Sequence, residues 1–366
     1  MAFDDFLKLE GKPSDFRVVV AMSGGVDSSV AACMMKEAGY DVVGITLQLY
    51  DYGAVVQKKG ACCAGQDIYD AAQVAEKINI PHYVFNYEDK FKESVMDDFA
   101  DTYLKGSTPV PCIRCNQSVK FRDLLKAAKS LDAKALVTGH YVQWVHNTKA
   151  ELHRGMDSKR DQSYFLFTTT QEQLDFLRFP LGGQSKDETR ETARRFDLKV
   201  SEKPDSMDIC FVPNGDYKSV VEKLRPGALD PGNIVDLQGQ ILGHHEGIIG
   251  FTVGQRKGLQ IGGHLDPLYV VKLNAETKEV IVGPKEALAK KTIQLNEVNW
   301  LGEDKTNRAI GLKYRSYHDP IQGFVTFLDN NTAEVEFDEA QYGVSPGQAC
   351  VFYDDTRLLG GGWIYS

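Results

Sequence analysis

Three cysteines and one glycine-rich loop are the residues of this sequence whose types and spacing could carry out chemistry. Cys112 and Cys115 form a C-x-x-C pair flanked by prolines, and Cys210 lies in the segment Lys203 to Phe211. We expect Cys115 to begin a helix over Asn116 to Leu131, where the helix dipole favours the nucleophilic thiolate. Half of a zinc site, a redox pair, or simple burial of Cys210 are the structural alternatives.

The remaining cysteines and histidines, and the cellular compartment expected for the chain, limit which of these roles fit the sequence. No second C-x-x-C or H-x-H pair is present, which disfavours a closed zinc site. The N-terminus lacks the basic and apolar parts of a secretion signal, and no apolar run is long enough to span a membrane, so we expect a cytoplasmic protein. An odd count of seven cysteines then argues against a disulfide framework. We assign no chemical role to Cys33, Cys62, Cys63 and Cys350.

The glycine-rich loop Ser23 to Ser29 (SGGVDSS) follows the apolar run Arg17 to Met22 and precedes a predicted helix. Two glycines allow a tight turn and close approach to an anion, and a helix start offers unpaired N-H groups. The loop lacks the lysine of the common phosphate loop and the spacing of the dinucleotide fingerprint. It predicts a pyrophosphate cradle, against the alternative of an ordinary turn. Asp27 is the candidate magnesium ligand, or alternatively a helix N-cap.

The elements around these residues divide the chain into an α/β part and a β-rich part. Short apolar runs alternate with helical periods up to about residue 215, which predicts a parallel sheet with flanking helices. The predicted strands are Arg17–Met22, Asp41–Leu49, His82–Asn86 and Ala135–Thr138, and the predicted helices are Ser28–Ala38, Gln66–Ile78, Phe91–Leu104 and Asn116–Leu131. Beyond Asp216, hairpins over Leu268–Val282 and Gly323–Phe337, with runs at Thr292–Trp300, Ala309–Tyr317, Ala349–Tyr353 and Leu358–Tyr365, predict a small β-barrel.

Length and charge set limits on domains and partners. A chain of 366 residues favours two or three domains, which we place at 1–215, 216–267 and 268–366. The net charge of -9 argues mildly against a nucleic-acid partner, because polyanion binding requires Lys and Arg. Local basic clusters at Arg194-Arg195, Arg256-Lys257 and Lys290-Lys291 could still form a binding stripe, or be ordinary solvated charges.

The loop and cysteine motifs together resemble a known family. Ser23 to Ser29 resembles the signature of the PP-loop ATP pyrophosphatases, with their adenine-nucleotide hydrolase-like fold. Along nearly its whole length the chain resembles the bacterial tRNA-specific 2-thiouridylases. The further matching stretches are Cys115-Asn116 with Lys120-Phe121, Thr138 to Tyr141, Asp161 to Leu166, Phe179 to Gly182, Asp205 to Phe211, Thr252 to Leu259, and Pro346 to Gln348.

This resemblance implies a two-step reaction at the wobble uridine of tRNA. ATP adenylates the C2 oxygen and releases pyrophosphate, with magnesium as its counter-ion. A persulfide on Cys210, loaded by a sulfur-relay donor protein, then supplies the sulfur. Cys115 attacks that persulfide or helps to free hydrosulfide, which displaces AMP. The protein is expected to act as a monomer.

The resemblance also implies binding residues, position by position. The nucleotide is expected to meet Ser23, Gly24, Gly25, Val26, Asp27, Ser28, Ser29, Leu47 and Gly139. The tRNA is expected to meet Val110, Pro111, Cys112, His140, Arg160, Asp161, Gln162, Tyr314, Arg315 and Gln348. Structural roles, such as a turn at Gly139 or a buried His140, are the alternatives.

Cys112 departs from the family pattern, because many members carry an acidic residue at this position. The general acid/base role assigned to that acid either is absent here or falls to Cys112. Three thiols at Cys112, Cys115 and Cys210 suggest a second hypothesis, an iron-sulfur cluster that carries sulfide. Two other functions stay open: a PP-loop ligase with a small-molecule acceptor, and a non-catalytic RNA-binding module with a metal-held C-x-x-C.

Overall fold

The computed structural model describes residues 7–8, 10–50, 63–205, 208–212, 215–262, 266–328 and 331–366. These residues form two compact units. The first comprises the described residues of Met1–Ser94, Arg114–Met207 and Thr356–Leu358, and the second those of Val95–Ile113, Asp208–Asp355 and Leu359–Ser366. Among the helices of these ranges, none is both long and apolar enough to span a membrane.

A parallel sheet forms the centre of the first unit. Its strands and those of an adjoining hairpin are β1 (Arg17–Ala21), β2 (Asp41–Gln48), β3 (His82–Asn86), β4 (Ala135–Val137), β5 (Val142–His146), β6 (Ala150–Arg154) and β7 (Leu177–Arg178). The sheet has the order β3-β2-β1-β4-β7, and every pair in it is parallel. Val18, Val19 and Val20 of β1 are fully buried, because helices cover both faces of such a sheet. The predicted parallel sheet is confirmed.

The structure has a helix in each of the four predicted regions, with one boundary misplaced, and it has further helices that the sequence analysis did not predict. In chain order they are α1 (Val26–Glu37), α2 (Cys63–Lys77), α3 (Glu88–Phe91), α4 (Asp97–Leu104), α5 (Pro111–Cys115), α6 (Leu125–Ser130), α7 (Gln171–Phe176), α8 (Lys186–Arg195) and α9 (Tyr217–Leu224). Two π-helical stretches, Lys92–Met96 and Asn116–Leu124, join α3 to α4 and α5 to α6. The helix predicted over Asn116 to Leu131 therefore begins earlier, at Pro111.

The second unit contains a four-stranded sheet and a closed barrel. The strands are β8 (Gly232–Val235), β9 (Ile241–His245), β10 (Tyr269–Asn274), β11 (Glu279–Gly283), β12 (Ala289–Trp300), β13 (Arg308–Lys313), β14 (Ile321–Phe327), β15 (Ala333–Tyr342), β16 (Ala349–Asp354) and β17 (Arg357–Ile364). The first two residues of β17 belong to the first unit, where they pair with β6. The small sheet has the order β10-β11-β8-β9. The barrel runs β12-β15-β14-β13-β16-β17 and closes through β12–β17 pairs such as Leu295 with Ile364. The predicted C-terminal barrel is confirmed.

Two details of this unit correct the sequence interpretation. The hairpin β10–β11 forms as predicted, but β11 pairs with β8 in the small sheet instead of joining the barrel. Helical structure also continues beyond Asp216, which caps α9 by accepting a hydrogen bond from the Ser219 N-H at 3.2 Å. The predicted turn at Asp329 and Asn330 lies outside the described residues. Strand pairing between distant segments, which no local pattern encodes, accounts for the first difference.

Candidate active site

The glycine loop lies where the strand order of the parallel sheet reverses. β1 pairs with β2 on one side and with β4 on the other. The loop Ser23–Gly25 leaves β1, and Gly139 follows β4, so both lie beyond the carboxyl ends of neighbouring strands. Ligands of open α/β sheets bind in the crevice at this switch point. The topology therefore places the predicted pyrophosphate cradle at a binding position.

Glycine is required in this loop for steric reasons. Gly24 has φ +74°, and an added Cβ would lie 2.1 Å from the carbonyl oxygen of Asp67. Gly25 is the N-cap of α1 and makes no side-chain capping bond, so the first N-H groups of the helix have no side-chain cap. The buried Val26 begins the helix. This backbone is the kind that binds an anion.

The three serines of the loop play different parts. The hydroxyls of Ser28 and Ser29 donate to the Gly25 carbonyl oxygen at 3.3 and 2.8 Å, and both side chains are buried. Ser28 Oγ also accepts the Ser23 N-H at 3.0 Å. Ser23 itself is exposed. The Ser23 hydroxyl lies 3.2 Å from that of Ser28, so all three serines contribute hydrogen bonds that shape the loop.

Asp27 is held by two groups from later segments of the chain. The ammonium of Lys186, at the start of α8, lies 2.7 and 2.9 Å from its two carboxylate oxygens. The Tyr141 hydroxyl donates to it at 2.8 Å, and burial together with the Asp27 charge raises the pKa of Tyr141. The N-cap position belongs to Gly25, so the alternative N-cap role of Asp27 is wrong.

Lys186 also joins Asp27 to Asp205, which lies in the segment Lys203 to Phe211 that contains Cys210. Its ammonium is 2.7 Å from Asp205, and the residue is only 8% exposed. Arg160 and Arg190 contact the same carboxylate at 2.8 and 3.3 Å. Burial opposes ionisation, but the hydrogen bond from Lys186 and the three positive charges together lower the pKa of Asp205. One buried cation therefore connects the glycine loop to this segment.

A second lysine makes a parallel connection. Lys203, two residues before Asp205, donates to the Gly24 carbonyl oxygen at 3.0 Å. It also pairs with Asp67 and Asp70 of α2 at 2.7 and 2.6 Å. The segment that leads to Cys210 is thus bonded to the glycine loop at two places.

Gly139 contacts the start of α1 directly. A Cβ at this position would lie 2.8 Å from both the Asp27 carbonyl carbon and the Ser28 nitrogen. The close approach of two backbones, and not a turn, explains the glycine. Leu47 is half-buried near the carboxyl end of β2, beside Phe85 of β3. Their predicted contact with the nucleotide stays a prediction.

Substituting Gly139 by alanine is expected to raise the KM for ATP by about tenfold or more, because the methyl group displaces the loop and small misplacements of an active site are costly. Steady-state pyrophosphate release at varied ATP measures this. Gly183→Ala is the matched control, since a Cβ there meets nothing within 4 Å. An unchanged KM for ATP in Gly139→Ala would contradict the predicted site.

His140 occupies an apolar setting. Its ring packs edge-on against Phe121 and Phe179, with ring centroids 5.9 and 6.3 Å away. Nδ1 pairs with the Thr138 hydroxyl at 2.8 Å. Burial, with a smaller effect of the Lys120 charge, lowers the pKa of His140 to about 3. The ring is therefore neutral near pH 7, and any tRNA contact it makes is that of a neutral donor or acceptor.

The C-x-x-C pair lies on one continuous helix. Val110 is half-buried, Pro111 is the first residue of α5, Cys112 follows as an exposed residue, and Cys115 is 6% exposed at the end of α5. Proline suits a first helical position, which explains this start. The predicted helix start at Cys115 is wrong, and the N-terminal field of the helix acts on Cys112 instead. π-helical segments such as Asn116–Leu124 often occur at functional sites.

Cys210 is exposed, whereas its neighbour Phe211 is 1% exposed and packs edge-on against Phe99 of α4 at 5.1 Å. The alternative of a buried Cys210 is therefore wrong. Ser206 and Met207 of this motif lie outside the described residues. Cys33 and Cys350 are fully buried, and burial raises the pKa of Cys33 to about 12. Cys62 and the side chain of Cys63 lie outside the described residues.

No metal site is apparent among the residues that the structure describes. Within them, no group of three or more His, Cys, Asp and Glu side chains is arranged to hold a metal ion. The iron-sulfur cluster at Cys112, Cys115 and Cys210 stays a hypothesis. Asp27 offers one carboxylate beside the loop, which fits a magnesium ion held mainly by phosphate oxygens.

The residues of the first unit that are predicted to contact tRNA form hydrogen bonds or ion pairs within the protein. Asp161 is buried and accepts hydrogen bonds from the Gly155 and Ser163 N-H groups at 3.1 and 3.0 Å. Gln162 exchanges hydrogen bonds with the backbone of Tyr141 at 2.9 and 3.1 Å. Arg160 is engaged by Asp205. These residues organise a loop, and their contact with tRNA stays a prediction.

The barrel residues that are predicted to contact tRNA also form hydrogen bonds within the protein. Tyr314 is 5% exposed, and its hydroxyl donates to Gln341 at 3.1 Å. Arg315 donates to the Gly343 carbonyl oxygen and to the Tyr317 hydroxyl, the latter at 2.6 Å. The Gln348 side chain donates to the Thr108 carbonyl oxygen at 3.3 Å. Arg315 keeps a partly exposed guanidinium, which suits a phosphate partner.

Sequence reasoning missed Lys186, Lys203 and Tyr141, three residues that hold the site together. Tyr141 stood inside the matching stretch Thr138 to Tyr141, and Lys203 inside the segment that leads to Cys210. Lys186 carried one local signal, the Ser185–Glu188 capping box that marks the start of α8. Its partner Asp27 is 159 residues away in the sequence, a separation that no local pattern bridges.

Comparison with known proteins extends this picture to the whole chain. Family models match residues 16–214 (tRNA methyl transferase HUP domain), 218–284 (tRNA methyl transferase PRC-barrel domain) and 290–364 (aminomethyltransferase beta-barrel domain). The tRNA-specific 2-thiouridylase MnmA of Paracoccus denitrificans is 61% identical over 96% of this chain and 92% of its own. The protein of that name from Rhodospirillum centenum is 59% identical over 98% and 94%.

The similarity to one solved structure is too low to support a functional comparison. A 4-thiouridine synthetase in complex with RNA and ATP aligns with a TM-score of 0.35 and 18% identity, covering 58% of this chain and 51% of that one. The identity to the curated relatives is much higher, 61% and 59%, and it extends over nearly the full chain. The chain belongs to the tRNA-specific 2-thiouridylase family.

Proposed function

We propose that this protein is an ATP-dependent tRNA-uridine 2-sulfurtransferase that acts on the wobble uridine. The observation that carries the proposal is the buried Lys186 bridge, which joins Asp27 of the glycine loop to Asp205 of the Cys210 segment. The glycine loop, which is the proposed site of ATP activation, is thus bonded to Asp205, five residues before the proposed sulfur carrier Cys210. The names of the full-length relatives support the same assignment.

The chemistry divides between the loop and the thiols. The C2 oxygen of uridine attacks the α-phosphorus of ATP, pyrophosphate leaves, and AMP becomes a good leaving group at C2. The Cys115 thiolate attacks the inner sulfur, Sγ, of a Cys210 persulfide. This forms a Cys115–Cys210 disulfide and releases the outer sulfur as hydrosulfide. Hydrosulfide displaces AMP, and a reductant restores the two thiols before the next turnover. Asp27 would hold the magnesium ion, which neutralises phosphate charge.

The direct test is to incubate the protein with tRNA, ATP, magnesium and a persulfide donor, and to analyse nucleosides by mass spectrometry. We expect 2-thiouridine derivatives, with one AMP and one pyrophosphate formed for each sulfur inserted. Pyrophosphate release that does not depend on tRNA would favour a small-molecule ligase instead. Binding of tRNA without any ATP consumption would favour a non-catalytic RNA-binding module.

Persulfide chemistry predicts full activity without iron. Protein purified without oxygen, as wild type and as Cys112→Ser, is assayed for iron, acid-labile sulfide and thiolation. We expect iron below stoichiometric amounts in both proteins and activity that does not follow the iron content. Stoichiometric iron that is lost in Cys112→Ser together with activity would establish the iron-sulfur alternative.

Several accompanying assignments are proposed with this function. The partners are tRNA and a sulfur-relay donor protein, and the protein works as a cytoplasmic monomer. The domain boundaries are proposed at 1–215 for the catalytic domain, 216–267 for the small central domain and 268–366 for the barrel. Methyl transfer, which the family-model descriptions mention, would give no role to an ATP-binding loop or to paired thiols.

A further inference from the structure

One residue of the loop before the C-x-x-C helix, Thr108, is surrounded by a turn of the barrel, residues 345–348. The Thr108 N-H donates to the Pro346 carbonyl oxygen at 2.8 Å. The hydroxyls of Thr108 and Ser345 are 2.8 Å apart, and the Gln348 side chain donates to the Thr108 carbonyl oxygen at 3.3 Å. The turn therefore engages the N-H, the carbonyl oxygen and the hydroxyl of Thr108.

The turn itself is fixed to the barrel. The Gly347 N-H donates to the Ile364 carbonyl oxygen, and the Ile364 N-H donates to that of Gln348, both at 2.8 Å. Ser345 is 2% exposed. Gly347 has φ +87°, and an added Cβ would lie 2.8 Å from the Thr108 oxygen and 3.0 Å from its nitrogen. The two backbones are as close as glycine allows.

A displacement of Thr108 would be transmitted almost fully to the helix that carries Cys112 and Cys115. Pro109, Val110 and Pro111 are the only residues between Thr108 and Cys112. Each proline fixes its own φ and restricts the residue before it to extended conformations. Both prolines are buried, and Pro111 already belongs to α5. The segment is therefore stiff, and the position of Thr108 sets the start of the helix that carries Cys112 and Cys115.

We propose that the barrel turn of residues 345–348 is a positioning element of the active site, with Ser345 and Gln348 as positioning residues for the segment Val110 to Cys112, which is predicted to contact tRNA. This inference rests on the proposed function. The turn also carries a predicted tRNA contact, Gln348. RNA that binds the Gln348 amide competes with the Thr108 carbonyl oxygen for it, so RNA binding to the barrel acts on the segment Val110 to Cys112.

The test compares Ser345→Ala and Thr108→Val with wild type in tRNA thiolation and in tRNA binding. Each variant removes one hydroxyl of the pair. We expect kcat to fall by about tenfold, because a small misplacement of reacting groups is costly, while the Kd for tRNA changes by less than about twofold. The double variant is expected to be no slower than the slower single variant, since both remove the same contact. Thr326→Val, on strand β14, is the matched control.

Gly347→Ala provides an independent variant, because its methyl group displaces Thr108 without removing a hydrogen-bonding group; we expect a larger loss of kcat. Wild-type kcat in Ser345→Ala and Thr108→Val would overturn the positioning role. So would a weaker Kd for tRNA with kcat preserved, which would make the turn a direct RNA contact. Absence of thiouridine with the wild-type protein would instead overturn the proposed function, so the two failures are distinguishable.

Discussion

Cys115→Ser and Cys210→Ser are each expected to abolish thiolation, by on the order of 10⁴-fold, while pyrophosphate is still released once per tRNA. Serine cannot carry a persulfide, and its hydroxyl is a far weaker nucleophile than a thiolate near pH 7. Neither residue belongs to the ATP loop, so activation of the uridine should proceed. The measurement is a burst of pyrophosphate with mass spectrometry of the same tRNA.

Cys33→Ala is the control for this experiment, because Cys33 is fully buried in α1 and has no assigned role. It should thiolate at the wild-type rate, with a modest loss of thermal stability from the small cavity. Normal thiolation by Cys115→Ser or Cys210→Ser with a purified sulfur donor would contradict the mechanism. Loss of the pyrophosphate burst in both variants would show that the cysteines act before sulfur transfer.

Lys186→Met is expected to reduce adenylation by about 10²- to 10³-fold, because it removes the cation between two carboxylates while keeping an unbranched side chain that is one atom shorter. Asp27 and Asp205 would then repel each other, and breaking a buried ion pair typically costs about 3–5 kcal/mol. The glycine loop would lose its connection to the Cys210 segment. Pyrophosphate release at saturating ATP and tRNA, together with the melting temperature, measures both effects.

Lys186→Arg separates an active-site role from a purely structural one. Arginine keeps the charge but not the compact ammonium, so we expect the melting temperature to recover and kcat to remain low. Lys36→Met, an exposed lysine on α1, should resemble wild type. Wild-type adenylation by Lys186→Met would remove the bridge from the mechanism. If the melting temperature and kcat recovered equally in Lys186→Arg, the Lys186 bridge would contribute to stability alone.

The sequence predicted those features that local patterns encode. The strand His82–Asn86 and the helix before Leu104 follow from apolar runs and helical periodicity, and the structure has both. The start of α5 was misplaced because Pro111 suggested a loop, although proline also suits a first helical position. Periodicity alone does not choose between these two roles.

Features that depend on contacts between distant segments could not be predicted. The hairpin Tyr269–Gly283 was recognised, but its pairing with β8 depends on backbone geometry outside the hairpin. The bridge from Lys186 to Asp27 depends on how α8 packs beside α1. Similarly, the contact of Gln348 with Thr108 joins residues 240 positions apart. A family resemblance names functional positions, but not the residues that support them.

The pairing of β6 with residues 357 and 358 has a consequence for synthesis on the ribosome. Leu152 and His153 pair with Leu358 and Arg357, and His153 also meets Thr356, 203 residues later, at 3.0 Å. Until those residues emerge, the edge of β6 has no partner, and an open strand edge is prone to intermolecular pairing. A fragment that ends near residue 215 would keep this edge open permanently. The first unit therefore finishes folding only after most of the second has been translated.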